Sequence, residues 1–302
     1  MKCLVTGGCG FIGSNLVDRL VELGHEVIVI DDFSAECNDE FFINKVGGVI
    51  YYKEDICNYD RIERFFEGVD YVFHMAAESR IGPTMRDPQK ACTVNFVGTC
   101  NVLQAARNYG IKKVVYSSTS ACYGLKNYPP LVETMSNDNL NPYSVSKIAA
   151  EDLCVMYNNL FGVPTVCLRY FNVFGERMPD RGQYAPVIAI FIKQIREGKS
   201  LTVVGDGLQK RDFIYVQDVV SANIKAALSD ESTSGQIYNV GSGTNISILE
   251  IAKSFQSPYK HIPPREGEAR NTLANISKIK RNLDWTPTVS VEDWIQRWRE
   301  AQ

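Results

Sequence analysis

The sequence predicts an α/β fold, a doubly wound parallel sheet with a smaller C-terminal substrate domain interleaved into it, and three observations carry that expectation. The chain opens as strand, glycine turn and helix. Short apolar runs then alternate with helix-period segments through roughly the first half, the order that parallel strands need for their crossovers. Tyr143 and Lys147, finally, stand four residues apart just after Pro142, where a run of good helix formers begins.

Lys2-Cys3-Leu4-Val5-Thr6 reads as the first strand, entering Gly7-Gly8-Cys9-Gly10-Phe11-Ile12-Gly13 and then an amphipathic helix over residues 14–21. Glycines at 7, 10 and 13 permit a tight turn and a close approach to a pyrophosphate, whose charge the helix amides and positive helix end would hold. Glu26-Val27-Ile28-Val29-Ile30 is a second strand of the buried type, ending in Asp31-Asp32. A carboxylate there accepts the adenosine ribose hydroxyls and repels a 2′-phosphate, so NAD is expected rather than NADP.

Val49-Ile50-Tyr51-Tyr52 leads as a third strand to Asp55-Ile56, and Tyr71-Val72-Phe73-His74-Met75 leads as a fourth to Ala76-Ala77, small residues that let a cofactor come close. His74, at the end of an apolar strand, reads as a core histidine. Residues 88–109, Asn95 among them, are helical in period. Lys113-Val114-Val115-Tyr116 is a fifth strand delivering Ser117-Ser118-Thr119-Ser120, whose hydroxyls orient a substrate alcohol or merely form a serine-rich turn.

The spacing of Tyr143 and Lys147 puts both side chains on one helix face, about 5–6 Å apart at Cβ. A fixed cation favours the phenolate and moves a tyrosine down from its ordinary value of about 10. Tyr143 is therefore the candidate general base. A sixth strand over residues 163–168 leads to Asn172, residues 184–188 open another helix, and 201–207 read as strand and turn. Ile237-Tyr238-Asn239-Val240-Gly241 reads as a strand returning to the first sheet. Residues 1–171, with 212–243 returning, are thus the expected nucleotide-binding domain, and 172–302 mainly bind substrate.

The chain has 302 residues, 45% of them hydrophobic and 22% charged, with a net charge of -3. That balance argues against nucleic acid or an anionic membrane surface as partner, since both demand clustered Lys and Arg. Nine cysteines are scattered without a Cys-x-x-Cys pair, so neither a metal site nor a disulfide framework is expected. No segment reaches the roughly 20 apolar residues of a membrane span. The expected setting is the cytoplasm.

Together the 7–13 turn, Asp31, Ser117-Ser118-Thr119 and Tyr143-x-x-x-Lys147 resemble the extended short-chain dehydrogenase/reductase superfamily. Within it the UDP-hexose 4-epimerases are most alike, over residues 1–290. The resemblance implies a Rossmann-like sheet and NAD held also by Phe11, Ile12, Ser34, Asp55, Ile56, Asn95 and Ser117. It gives Lys147 the nicotinamide ribose and Thr119 the part of assisting Tyr143. On the substrate side it implies Asn172, Arg211 and Arg265 at the phosphates, Glu268 at the uridine ribose, and Tyr184 and Val187 beside them. Thr272 falls where a bulky aromatic would exclude an N-acetyl group at C2, which a threonine does not, so UDP-N-acetylhexosamines are expected as substrates too. A homodimer through helices near 88–109 and 142–161 is also implied. Dehydratases of nucleotide sugars resemble the chain as well, but carry Thr-Asp-Glu where this sequence has Thr119-Ser120-Ala121. A 4,6-dehydratase or another nucleotide-sugar oxidoreductase, or a catalytically silent NAD-binding sensor, is the alternative.

Overall fold

The computed structural model describes residues 1–35, 41–44, 47–181, 185–264 and 269–302. Its first half is β1 (Lys2–Thr6), α1 (Phe11–Glu22), β2 (Glu26–Asp31), β3 (Val49–Lys53), α2 (Tyr59–Ile62), β4 (Tyr71–His74), α3 (Ile81–Arg86), α4 (Pro88–Cys92), α5 (Thr99–Asn108), β5 (Lys113–Thr119), α6 (Pro142–Phe161) and β6 (Thr165–Tyr170). Residues 163 and 164, read as the start of the sixth strand, stay outside it. Pro164 has no N–H for a ladder, although its carbonyl still accepts from Val114 N at 2.9 Å.

The second half is β7 (Asn172–Phe174), α7 (Val187–Arg196), β8 (Leu201–Val204), β9 (Lys210–Arg211), β10 (Phe213–Tyr215), α8 (Val216–Leu228), β11 (Gln236–Val240), β12 (Ile246–Ser247), α9 (Ile248–Ser254), β13 (Tyr259–Ile262), α10 (Ser277–Leu283) and α11 (Val291–Glu300). Seven parallel strands form the central sheet in the order β11-β6-β5-β4-β1-β2-β3. The order reverses at β1, between β4 and β2. Crossovers on the two sides of that point leave by opposite faces, so a crevice opens above the carboxyl ends of β1 and β4.

The strand pattern explains why both faces are covered. Cys3 and Val5 point into an apolar layer with Leu16, Val17 and Leu20 of α1, while Leu4 points into the opposite layer with Val102 and Leu103 of α5. Each such aliphatic side chain, fully withdrawn from water, contributes about 1.5–3 kcal/mol. A third core, with Phe174, Phe191, Phe255 and Trp294, lies under the short strands of the second half. The C-terminal segment is fastened by Asp218, whose carboxylate accepts from Thr288 N and Thr288 Oγ1 at 2.9 and 2.6 Å. Among the described residues no helix is long and apolar enough to cross a membrane.

Candidate active site

A cavity of about 1160 Å³ runs over the carboxyl edge of the sheet and into the second half. One end is built on the turn after β1. Gly7 has φ 68, and a Cβ on it would stand 2.7 Å from Ala76 N; a Cβ on Gly13 would stand 2.1 Å from the Gly7 carbonyl oxygen. Only glycine lets that turn pack against the end of β4. The N-terminus of α1 therefore faces the cavity at Gly10, Phe11 and Ile12 with its first amides unbonded within the helix.

Asp31 lies on the same wall, its carboxylate fixed by Cys9 N and Phe33 N, each at 2.9 Å. Burial holds its pKa above the ordinary carboxylate value against those two bonds. Asp32 is turned into a local loop, accepting from Ser34 N at 3.0 Å and Ser34 Oγ at 2.7 Å, and Asp55 accepts from Cys57 N at 2.8 Å. Asp32, Ser34, Asp55, Ile56, Ala76, Ala77 and Ser117 all border the cavity.

Two residues at this end stand behind the wall. His74 is fully buried between Thr6 Oγ1 at 2.7 Å and Thr99 Oγ1 at 2.8 Å, and burial depresses it to about 3, so it is neutral at physiological pH. Asn95, expected to touch the cofactor, does not border the cavity. It sits on the π-helical turn Thr93–Gly98 that joins α4 to α5. There its amide donates to the Glu78 carbonyl at 3.0 Å and to Ser146 Oγ at 2.9 Å. A widened turn re-aims a side chain inward, which helical period alone does not reveal.

The centre of the cavity is the start of α6. Asn141 and Ser144 form a capping box, with Ser144 N donating to Asn141 Oδ1 at 2.9 Å, and Pro142 occupies the first turn. Such a cap removes end fraying and is worth about 1 kcal/mol. Tyr143 and Lys147 rise from the fixed turn on one face, and Thr119, at the end of β5, borders the same cavity. Lys147 is 3% exposed, with Nζ 4.2 Å from the centroid of the Tyr116 ring.

The electrostatics differ from the sequence expectation in one respect. Burial raises the Tyr143 phenol above its usual value, against weaker downward pulls from the Thr119 hydroxyl and the charge of Arg80. Lys147 is itself drawn down to about 7 by burial. Its nitrogen faces the Tyr116 ring.

In the second half, Asn172 in β7 donates both its amide groups, N at 3.2 Å and Nδ2 at 2.8 Å, to the Asp212 carbonyl. Asn172, Val187, Arg211 and Thr272 border the far end of the cavity. Tyr184, Arg265 and Glu268 lie outside the described residues. Thr272 is held through Thr272 N to Lys210 O at 3.1 Å, and its Oγ1 accepts from Asp212 N at 3.4 Å.

Sequence reasoning passed over the residue that assembles this end. Asp212 is fully buried, and its carboxylate gathers Ser242 N at 2.7 Å, Gly243 N at 3.1 Å and Ala274 N at 3.0 Å. Burial pushes it up to about 6 in spite of those donors. It ties the Thr272 segment to the loop after β11, and its partners are too distant in sequence to signal it. Among the described residues no group of three or more His, Cys, Asp or Glu side chains could hold a metal ion.

Comparison with known proteins places this geometry. Residues 3–241 match the NAD dependent epimerase/dehydratase family. The chain belongs to that family. NAD is its cofactor, and the glycine turn, which a single Cβ would fill, together with the fixed Asp31 carboxylate fits a dinucleotide. Within the family, the UDP-glucose 4-epimerase of Thermotoga maritima, solved with UDP-glucose, is 32% identical; it superposes with a TM-score of 0.91 over 100% of this chain and 99% of that one. The UDP-N-acetylglucosamine 4-epimerase of Methanobrevibacter ruminantium M1, solved with UDP-N-acetylmuramic acid, gives 33% and 0.91, over 99% and 96%. A UDP-N-acetyl-alpha-D-glucosaminuronate decarboxylase of Bacillus cytotoxicus is 36% identical over 100% of this chain and 98% of its own.

Proposed function

We propose that this NAD-dependent nucleotide-sugar epimerase inverts UDP-hexoses at C4 through a 4-keto intermediate, UDP-N-acetylhexosamines included. The observation that carries the reading is that Thr119, Tyr143 and Lys147 line one cavity, Lys147 one helical turn beyond Tyr143, with no carboxylate at positions 120 and 121. NAD, held across the 7–13 turn and Asp31, supplies a reversible acceptor for the hydrogen on C4. Tyr143 takes the proton of the C4 hydroxyl and returns it on the other face, and Thr119 orients that exchange. Arg211 and Asn172 grip the UDP while the hexose turns. Arg211 is suited to this as a planar fork that binds phosphate oxygens in pairs. Arg265, Glu268 and Tyr184 belong to the same grip on the family resemblance.

Elimination of water from C5 and C6 would need an acid and a base beside Thr119, where Ser120 and Ala121 stand. Glu78 borders the cavity but is paired with Lys90 at 2.5 Å. A silent NAD sensor would have no use for Tyr143 and Thr119 on one cavity wall. Residues 1–171 with 212–243 form the NAD-binding part in this reading, and 172–302 mainly bind substrate. Exposed Phe96, Val97, Val145, Leu160 and Phe161 on the two long helical segments suit a homodimer. The eight described cysteines are free thiols, as the reducing cytoplasm favours.

Thr272 sets the test of substrate range. With UDP-N-acetylglucosamine and UDP-glucose supplied separately and no NAD added, proton NMR shows the galacto epimer of both. Thr272→Tyr fills the space for the C2 substituent, so turnover of the N-acetyl sugar falls at least about tenfold while UDP-glucose is spared, the scale of one steric group in a pocket. Equal loss of both substrates would remove Thr272 from specificity.

A further inference from the structure

Asp212 lies between β9 and β10, fully buried behind the cavity that its neighbours Arg211 and Phe213 border. Four donors converge on its carboxylate. Oδ1 accepts from Ser242 N at 2.7 Å and Ser242 Oγ at 2.9 Å, and Oδ2 accepts from Gly243 N at 3.1 Å and Ala274 N at 3.0 Å. An ionised carboxylate, which only accepts, suits such a ring of donors. Ala274 stands two residues beyond Thr272, whose Oγ1 receives Asp212 N at 3.4 Å. Backbone and side chain of one residue therefore both hold the Thr272 segment. Leu131 anchors the same segment as well, with Leu131 N to Leu273 O at 2.8 Å and Asn275 N to Leu131 O at 2.9 Å, so its place in the fold does not hang on Asp212 alone. There is no room to spare: a Cβ on Gly241 would stand 2.6 Å from Ala274 Cβ and 2.9 Å from Asp212 Oδ2.

Resting on the assignment of a UDP-hexose to this cavity, we propose that Asp212 is a positioning residue for substrate choice: its carboxylate holds the Thr272 wall at the depth that decides what fits beside C2. Asp212 does not itself border the cavity. It acts through Ala274 and Thr272. A wall fixed in this way cannot yield to a bulky group, whereas a loose one can, so the rigidity of the segment limits the C2 substituent together with the size of residue 272.

The experiment measures kcat/KM for UDP-N-acetylglucosamine and UDP-glucose in Thr272→Tyr, alone and combined with Asp212→Ala or with Gly241→Ala, and records melting temperatures. Asp212→Ala removes both acceptor oxygens. Gly241→Ala keeps the carboxylate and pries Ala274 away from it with one methyl group. Thr272→Tyr alone disfavours the N-acetyl sugar by at least about tenfold. In either double variant that preference shrinks by about threefold or more, as coupling between residues of one network requires, because the tyrosine can now give way. A role in stability alone would lower the melting temperature and affect both sugars equally. A preference unchanged in every double variant that folds overturns the proposal, and if Asp212→Ala does not fold, Gly241→Ala decides. If Thr272→Tyr itself does not discriminate, the wall assignment fails and the role of Asp212 with it; if the wild-type protein epimerises neither sugar, the epimerase reading itself has failed.

Discussion

Tyr143→Phe loses about 10²-fold or more in turnover of UDP-glucose, and keeps both its NAD and its melting temperature. The size follows from general-base catalysis, since phenylalanine fills the same space on the capped first turn of α6 but has no oxygen to exchange a proton. Retention of NAD is expected because phenylalanine at 143 leaves the glycine turn, Asp31 and Lys147 untouched. Burial keeps the phenol high, so wild-type activity rises with pH as the phenolate forms, and Tyr143→Phe should lose that dependence. Turnover within about threefold of wild type, measured by the same NMR assay, would take Tyr143 out of the mechanism.

The second large effect is on stability. Arg169 of β6 is 3% exposed and Glu151 of α6 is 1% exposed, and they meet in a fork, Nη2 to Oε1 at 2.6 Å and Nε to Oε2 at 3.0 Å. Ser118 Oγ adds a bond to Oε2 at 2.6 Å, and Arg169 Nη1 donates to the Tyr123 hydroxyl at 3.1 Å. Tyr123 in turn donates to Asn239 Oδ1 of β11 at 2.7 Å. This network pins the catalytic helix to the sheet. Arg169→Met leaves a buried carboxylate without its cation and should cost about 3–5 kcal/mol, seen as a lowered denaturant midpoint. Removing both charges as Arg169→Met with Glu151→Leu should recover most of that loss, because an apolar pair of similar volume needs no desolvation. A single variant within about 1 kcal/mol of wild type would show that the fork carries no such weight.

Much of this architecture was legible in the chain because its signals are local. A strand that runs into Gly7, Gly10 and Gly13 and out into a helix announces its turn, and Tyr143 with Lys147 needs only the period of one helix to share a face. What escaped depends on contacts between distant residues or on backbone angles. Asp212 is one acid between two short strands, and the amides it gathers lie 30 to 62 residues further on. Asn95 lies in a helical run, and only the extra residue in the turn sends it behind the wall. The lowering of Tyr143 by Lys147 was a statement about charge made without burial. Desolvation acts on both groups at once and in the opposite sense for each, which spacing cannot weigh. Near the C-terminus, Asp284 takes a left-handed turn at φ 47 to end α10, a place where glycine would be easier, and Asn275 Oδ1 receives Ser277 N at 3.0 Å at the start of the same helix.

In 4-epimerisation the hydrogen on C4 leaves the sugar and returns to the same carbon. UDP-glucose carrying deuterium at C4, incubated with the protein and no added NAD, tests it most directly when the product is read by NMR. The expected product is UDP-galactose with the deuterium retained at C4. Deuterium found at C6 of a 4-keto-6-deoxy product would mark a dehydratase, and loss of the label to solvent would mark proton abstraction at C4; either result would rule out 4-epimerisation by hydride transfer.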